Sequence, residues 1–324
     1  MISAEEVAAI VVGPRVQTGG RRGAGMKLIV HGGAGSPPDE PADRQAVLDV
    51  AAETGAAADT VTEAVVEAVR VLETDPRFNA GVGSSIQSDG VARTDAGLMT
   101  DDRAVGAACS MPGVEHAVDV ARLVKEETPH ILVSGVHAVD LAEAFDVETD
   151  VDLLTEETRE RWAGEEAPDS FDTAEHLAFV NGRFGWESES ESGGSEAGGH
   201  DHDTVGAVAH DGDRIAAATS TGGRWAALAG RVGDVPQVGS GFYATRAGGA
   251  SATGAGEDIA RVTLSRRVVD HLEAGRTASE AADLAIEEFE DLTGSKAGVI
   301  VLGNDGAHGS AYNSEAMQVS TARE

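Results

Sequence analysis

Thr204 is the residue whose position most invites chemistry. The acidic, glycine- and serine-rich stretch from Glu187 to Asp203 cannot bury itself, and it stops directly at a threonine that opens a strand-like segment, Thr204–His210. A strand start is a rigid platform. Were the Asp203–Thr204 bond cut, Thr204 would present a hydroxyl and a free α-amine together. That amine, with an ordinary pKa of about 8, can act as general base for its own hydroxyl. A plain loop-to-strand junction is the other reading of the dipeptide alone. Asp211-Gly212-Asp213 turns the chain, and the return strand, Arg214–Ser220, runs into Thr221-Gly222-Gly223. Thr221 therefore lies at the open end of the hairpin beside Thr204, where a second hydroxyl can tune a nucleophile or hold a substrate; the β-propensity of threonine accounts for it too.

Gly230-Arg231-Val232-Gly233-Asp234 sets a cation and an anion between glycines. A guanidinium takes a carboxylate with two hydrogen bonds, and a carboxylate takes an ammonium, so Arg231 and Asp234 suit the two charged ends of a free amino acid. A surface ion pair is the bland alternative. Thr253-Gly254-Ala255-Gly256-Glu257 runs into a helix and can offer a hydroxyl and backbone N–H groups to an oxyanion, or simply cap that helix. His200-Asp201-His202-Asp203 has zinc-ligating residue types, but adjacent ligands in a glycine-serine leash make a poor rigid metal site. His31 reads as a structural hydrogen-bonding residue rather than a base.

The elements that must position these groups alternate in type. Lys27–Val30 reads as a buried strand entering the turn His31-Gly32-Gly33-Ala34-Gly35. Arg44 to Gly55 and Thr60 to Glu73 carry apolar residues at helical spacing, with Thr60 and Glu63 as a capping box and Asp75-Pro76 as the stop. Val91–Met99 and Arg103–Ser110 read as strands, Ala117–Glu127 and Val136–Phe145 as helices around a strand at His130–Val133, and Thr149–Val180 as helical pieces. Gly256–Ala274 and Ala278–Leu292 read as helices. Gly298–Leu302 and Ala307–Tyr312 form a closing hairpin about Asn304-Asp305-Gly306. This order implies layered α/β packing with antiparallel strand pairs.

Bulk composition narrows the function classes. The 324 residues carry 56 acidic and 24 basic side chains, a net charge of −32, which excludes nucleic acid as a partner. The 41% hydrophobic content argues for a folded domain with a solvated acidic surface, of the kind suited to a salty cytoplasm, against a disordered acidic chain. No apolar run is long enough for a membrane helix. Cys109, the single cysteine, lies in an apolar stretch, so it is expected in the core, and a disulfide-free chain fits a reducing cytoplasm. Residues 1–25 are expected to be a disordered leader, or an over-extended start before Met26. Arg21-Arg22 has no apolar segment behind it, which rules out a twin-arginine signal.

Six segments, taken in order, resemble the plant-type asparaginase/isoaspartyl aminopeptidase family of N-terminal-nucleophile (Ntn) hydrolases: His31–Gly35, Phe78–Gly83, Asp203–Val208, Thr219–Gly223, Gly230–Asp234 and Thr253–Glu257. The resemblance covers nearly the whole chain from about Met26. It implies an αββα sandwich of two antiparallel-rich sheets between helical layers, cleaved into an α chain 26–203 and a β chain 204–324. It implies Thr204 as nucleophile, Thr221 as its hydroxyl partner, Arg231 as the clamp on the substrate α-carboxylate, and Asp234 with the Gly256 carbonyl as acceptors of the α-ammonium. Thr253 and the Gly254 N–H match the oxyanion hole, and Asn79 matches an asparagine beside the cleaved bond. The loop Leu72–Val82 matches one whose backbone carbonyls, here those of Leu72, Glu73, Asp75, Phe78, Ala80 and Val82, hold a structural Na⁺. No catalytic cofactor is implied, the substrate is a small molecule, and the family's pairing implies an (αβ)₂ assembly.

The chain departs from that pattern at Ala255, where Thr or Asn is usual, at Val235, where Ser is usual, and in Arg224–Ala229, which lacks the usual lysine and proline. Ala255 and Arg224–Ala229 lie near the substrate in this reading, so they bear on side-chain specificity. A glycosylasparaginase is the alternative within the class, although Gly222-Gly223 and Ala255 favour the asparaginase/isoaspartyl branch. An uncleaved, non-catalytic scaffold of the same fold is the alternative outside it. The expected activity is hydrolysis of L-asparagine, of β-aspartyl dipeptides, or of both.

Overall fold

The structure, a computed structural model, describes residues 25–170, 172–185 and 204–324. The leader, Asp203 and the His200–Asp203 run lie outside the described residues. Strand β1 (Lys27–Gly35) leads into helices α1 (Pro41–Ala56) and α2 (Val61–Thr74), then β2 (Thr94–Thr100), β3 (Val105–Met111), α3 (Ala117–Glu127), β4 (Val133–Ser134), α4 (Val136–Ala144), α5 (Glu156–Ala163) and α6 (Thr173–Phe184). After the acidic stretch come β5 (Val205–His210), β6 (Ile215–Thr221), β7 (Phe242–Thr245), β8 (Gly248–Gly254), α7 (Gly256–Val262), α8 (Leu264–Glu273), α9 (Ala278–Thr293), β9 (Ala297–Gly303), β10 (His308–Tyr312) and β11 (Ala316–Arg323).

Two sheets form. One runs β11-β1-β5-β6-β2-β3-β4, antiparallel except for the last pair, and the other runs β10-β9-β8-β7. Pleating sends alternate residues of β5 to opposite faces. Val205, Ala207 and Ala209 meet Val65, Val69 and Leu72 of α2 in one apolar layer. Val208 faces the other way and joins Ile29, Met99, Ala217, Phe242 and Ile300 between the sheets. Helices α8 and α9 cover the far side of the small sheet through Val268, Val269, Ala285 and Phe289. The layering is helix–sheet–sheet–helix, the sandwich expected. Central strands are buried on both faces, which explains their nearly continuous apolar reading.

Several boundaries differ from the sequence expectation. The strand expected at His130–Val133 is only Val133–Ser134, and the pair expected at Val91–Met99 and Arg103–Ser110 sits at Thr94–Thr100 and Val105–Met111. The single helix expected over Gly256–Ala274 is two, broken at Thr263, whose φ is 53°. The break lets the first turn of α8 satisfy its N–H groups elsewhere: Ser265 donates to the Ser240 carbonyl at 3.3 Å and Arg266 to that of Gly239 at 2.8 Å. Strands β7, β8 and β11 were not expected. Strand β8 is glycine-rich, and a Cβ at Gly248 would lie 2.3 Å from Leu272 Cδ1. The small residues make room for side chains of neighbouring layers.

Candidate active site

The β5–β6 hairpin builds the floor of the site. Val205 pairs with Ser220, so the same register sets Thr204 opposite Thr221, both on the face toward the small sheet. The Thr204 Oγ1 donates to Thr221 Oγ1 at 3.4 Å, and both residues are nearly buried, at 7% and 5% exposure. The Gly223 N–H donates to the Thr221 hydroxyl at 3.2 Å. Asn79 fixes the turn that follows: its Nδ2 donates to the Gly223 carbonyl at 2.7 Å, its Oδ1 accepts the Ser85 N–H at 2.9 Å, and its carbonyl accepts the Gly222 N–H at 2.7 Å. A Cβ at Gly222 would stand 2.3 Å from Ser84 Oγ and 2.6 Å from Asn79 Oδ1, so only glycine lets the loop and the hairpin lock.

One pleat inward, a buried polar chain ties the sheets together. His31 lies opposite Gly206, and its Nε2 is 2.9 Å from Ser251 Oγ on β8. Ser251 is 2.7 Å from Thr219 Oγ1, which donates to the Gly241 carbonyl at 2.8 Å. Burial drives the His31 pKa down to about 3, only partly offset by the Thr204 backbone, so the ring is neutral and cannot take a proton near neutrality. Thr253 stands two residues beyond Ser251 on the same face of β8, fully buried, so it occupies the next pleat toward the Thr204–Thr221 end. Gly254 has a φ of 134° and a Cβ there would lie 2.5 Å from the Lys296 carbonyl.

A charged cluster forms beside this floor. The Arg231 guanidinium gives Nε and Nη2 to the two carboxylate oxygens of Glu257, each at 2.8 Å. Burial alone would raise the Glu257 pKa; the Arg231 bonds overcome it and hold it at about 2. Asp234 is 5% exposed, its Oδ2 has no hydrogen-bond partner among the described residues, and burial pushes its pKa up to about 7 against the pull of Arg231. A Cβ on Gly256 would sit 2.7 Å from Asp234 Oδ1 and 2.9 Å from Arg231 Nη2, so the glycine admits the backbone to both charges. The cluster is thus preloaded with one internal carboxylate and keeps a second one unpaired.

Residues 72–82 run from the end of α2 into a largely buried loop in which backbone carbonyls crowd together. Pro76 has no N–H, so the Leu72 carbonyl four residues earlier loses its helical donor. The Glu73 carbonyl accepts the Val82 N–H at 2.8 Å and that of Asp75 accepts the Phe78 N–H at 3.2 Å. A Cβ at Gly81 would meet the Glu73 carbonyl oxygen at 2.2 Å, and one at Gly83 that of Phe78 at 2.5 Å. A neutral oxygen-only donor set of this kind fits a hard monovalent or divalent cation. The Glu73 side chain turns inward instead, accepting from Ser220 Oγ at 2.6 Å and the Val118 N–H at 3.0 Å, and burial pushes its pKa well up. Cys109 is 4% exposed and its thiol is raised to about 12, first by burial and then by Asp95.

Sequence reasoning did not single out Asp95, Glu257, Ser251 or the Glu73 carboxyl. A charged residue inside a fully buried strand, as Asp95 is near the start of β2, was the available signal. Glu257 lies in the segment Thr253–Glu257, where the sequence alone presents it as part of a helix start.

A helix–sheet–sheet–helix sandwich with a threonine at the head of a central strand has the architecture of the Ntn-hydrolases. The chain belongs to the asparaginase family, whose model matches residues 24–324. It is 37% identical over 308 residues to an isoaspartyl peptidase/L-asparaginase of Danio rerio, covering 92% of each chain. It is 37% identical over 310 residues to a plant-type L-asparaginase of Pyrococcus furiosus, covering 92% of this chain and 97% of that one. An isoaspartyl peptidase/L-asparaginase of Macaca fascicularis is 34% identical over 312 residues, covering 92% of this chain and 93% of the relative. Among the described residues no helix is long and apolar enough to cross a membrane.

Proposed function

We propose that the protein is an autoproteolytic amidohydrolase that releases ammonia from L-asparagine, cleaves β-aspartyl dipeptides, or does both, with Thr204 as nucleophile. The observation that carries this reading is the Thr204–Thr221 hydroxyl pair, set at the end of two central strands next to the Arg231–Asp234 charge pair. In the first stage the Thr204 hydroxyl attacks the Asp203 carbonyl. The C–N bond breaks as an ester forms, and water hydrolyses that ester, leaving chains 1–203 and 204–324. Asn79 supports this step by fixing the turn behind Thr221.

In the second stage the freed Thr204 amine takes the hydroxyl proton as the oxygen attacks the substrate side-chain amide. The substrate α-carboxylate takes the Arg231 fork, displacing Glu257 toward Arg224, which lies 3.6 Å from it. The α-ammonium goes to Asp234 and the Gly256 carbonyl. The oxyanion is received by Thr253 and the Gly254 N–H, donors whose individual loss costs about 10² to 10³ in rate. Ammonia or an amino acid leaves with the proton held by the amine, and water then releases aspartate. No catalytic cofactor enters. The carbonyls of Leu72, Glu73, Asp75, Phe78, Ala80 and Val82 would hold a Na⁺ whose chemistry is confined to offsetting their dipoles and stiffening the loop that carries Asn79. The working form is an (αβ)₂ homo-oligomer in the cytoplasm.

Ammonia release from L-asparagine, and amino-acid release from β-aspartyl dipeptides, test the reading. Turnover of at least one substrate by wild type, and of neither by Thr204→Ala, is expected. Undiminished turnover by Thr204→Ala overturns it.

A further inference from the structure

The backbone that carries Arg231 is held by two adjacent side chains from the loop before β2. Gln87 Oε1 accepts the Gly230 N–H at 2.8 Å, and Gln87 Nε2 donates to the Arg231 carbonyl at 3.2 Å. A single side-chain amide therefore spans Arg231, bonding the N–H of the preceding residue and the carbonyl of Arg231 itself. Ser88 holds the residue before that pair: its Oγ accepts the Ala229 N–H at 3.0 Å. Gln87 is 2% exposed and Ser88 is fully buried.

Both side chains are themselves fixed. Arg93 Nη1 donates to Gln87 Oε1 at 2.8 Å, and Asp89 takes that guanidinium with both carboxylate oxygens, at 3.0 and 2.7 Å. An arginine can only donate, so the oxygen end of the Gln87 amide faces Arg93 and Gly230, and the NH₂ end is left for the Arg231 carbonyl. Ser88 Oγ lies 2.9 Å from His176 Nδ1 on α6, and His176 Nε2 lies 2.9 Å from the Ser170 carbonyl. A carbonyl can only accept, so Nε2 carries the proton, Nδ1 accepts from the Ser88 hydroxyl, and the Ser88 oxygen is left to accept from Ala229.

At its outer end Arg231 is bonded to Glu257, whose side chain is 45% exposed and is the group displaced when a substrate carboxylate takes the fork. What then keeps the guanidinium aimed is the backbone it grows from. We infer that Gln87 is a positioning residue of the substrate clamp, pinning the backbone of Arg231 so that the guanidinium stays in place when Glu257 yields. This rests on the role proposed for Arg231 above. Gln87 precedes the proposed cut and Arg231 follows it, so in the cleaved protein one piece aligns the clamp carried by the other. The α-carboxylate is gripped alike before and during the reaction, so the contribution is to binding rather than to the chemical step.

Gln87→Met keeps the length of the side chain and removes both bonds. In the self-cleaved protein, KM for L-asparagine or a β-aspartyl dipeptide, whichever is turned over, should rise about 10-fold with kcat within about threefold, the pattern of lost ground-state binding. Competitive inhibition by L-aspartate should weaken by a similar factor. Inhibition by β-alaninamide, which is L-asparagine without its α-carboxylate, should change less than about twofold, because it makes no use of Arg231. Gln87→Glu keeps the acceptor for Gly230 and Arg93 but sets an oxygen against the Arg231 carbonyl; it should show the same selective loss, and it decides the matter if Gln87→Met does not fold. Self-cleavage should be unchanged in both. A wild-type KM, a fall in kcat alone, equal weakening of the two inhibitors, or arrested self-cleavage overturns the inference while leaving the proposed function standing. A wild-type protein that turns over neither amide and binds no L-aspartate overturns both.

Discussion

The substrate-binding role proposed for Asp234 would come at the expense of the fold. The residue is buried with one oxygen unpaired, and burial lifts its pKa from 3.8 to about 7. Between those values the folded chain holds a proton that the unfolded chain has lost. Stability therefore falls as the pH rises from about 4 to 7, and the loss persists above. Asp234→Asn should stabilise the substrate-free protein by on the order of 1–3 kcal/mol above pH 7 and by nearly nothing near pH 4. It should abolish turnover at the same time. A melting-temperature difference that is flat between pH 4 and pH 8 would contradict this. Arg231 makes the complementary case. Its fork is occupied by Glu257 before any substrate arrives, so Glu257→Gln should loosen the resting clamp and lower KM, which steady-state kinetics would show; a higher KM would count against competition for the fork.

At the scale of elements, the β5–β6 hairpin and β8 must approach closely for the site to exist. Gly206 is a point of close approach: a Cβ there would lie 2.0 Å from Ser251 Oγ and 2.5 Å from His31 Nε2. Gly206→Ala should cost about 2–4 kcal/mol by separating the sheets and breaking the His31–Ser251–Thr219 chain. Denaturant unfolding measures it, and a loss below about 1 kcal/mol would show the chain to be dispensable. This hairpin was legible in the sequence because alternation, the Asp211-Gly212-Asp213 turn and the abrupt end of the acidic stretch are all local signals. Helix α2 was legible for the same reason, and Thr60 does accept the Glu63 N–H as its cap. Strand β11 was not, because its partner is β1 at the other end of the chain and nothing local announces a pairing that distant. Nor was the break at Thr263, which is set by carbonyls of Gly239 and Ser240. Asp95 was missed because its neighbours are brought by the register of three strands, and no spacing along the chain encodes that.

For the whole molecule, the net charge of −32 sets the response to solvent. Most ion pairs among the described residues are partly exposed and individually weak, so they do not offset the repulsion among unpaired carboxylates. Added salt shortens the screening length from about 10 Å at 0.1 M to about 3 Å at 1 M. The melting temperature should climb by about 5–10 °C across that range of KCl, and a flat or falling profile would remove the case for a salt-adapted surface. The layered fold would also let the proposed cut leave the molecule whole. Thr204 heads a strand held between β1 and β6, and β11 of the same C-terminal part pairs with β1 of the N-terminal part, so the two pieces share one sheet. The intact mass of the purified protein tests the central claim most directly. Two polypeptides whose masses place the break immediately before Thr204, and one full-length chain in Thr204→Ala, are expected. A wild-type chain that stays whole while hydrolysing asparagine, or a break that persists in Thr204→Ala, would contradict it.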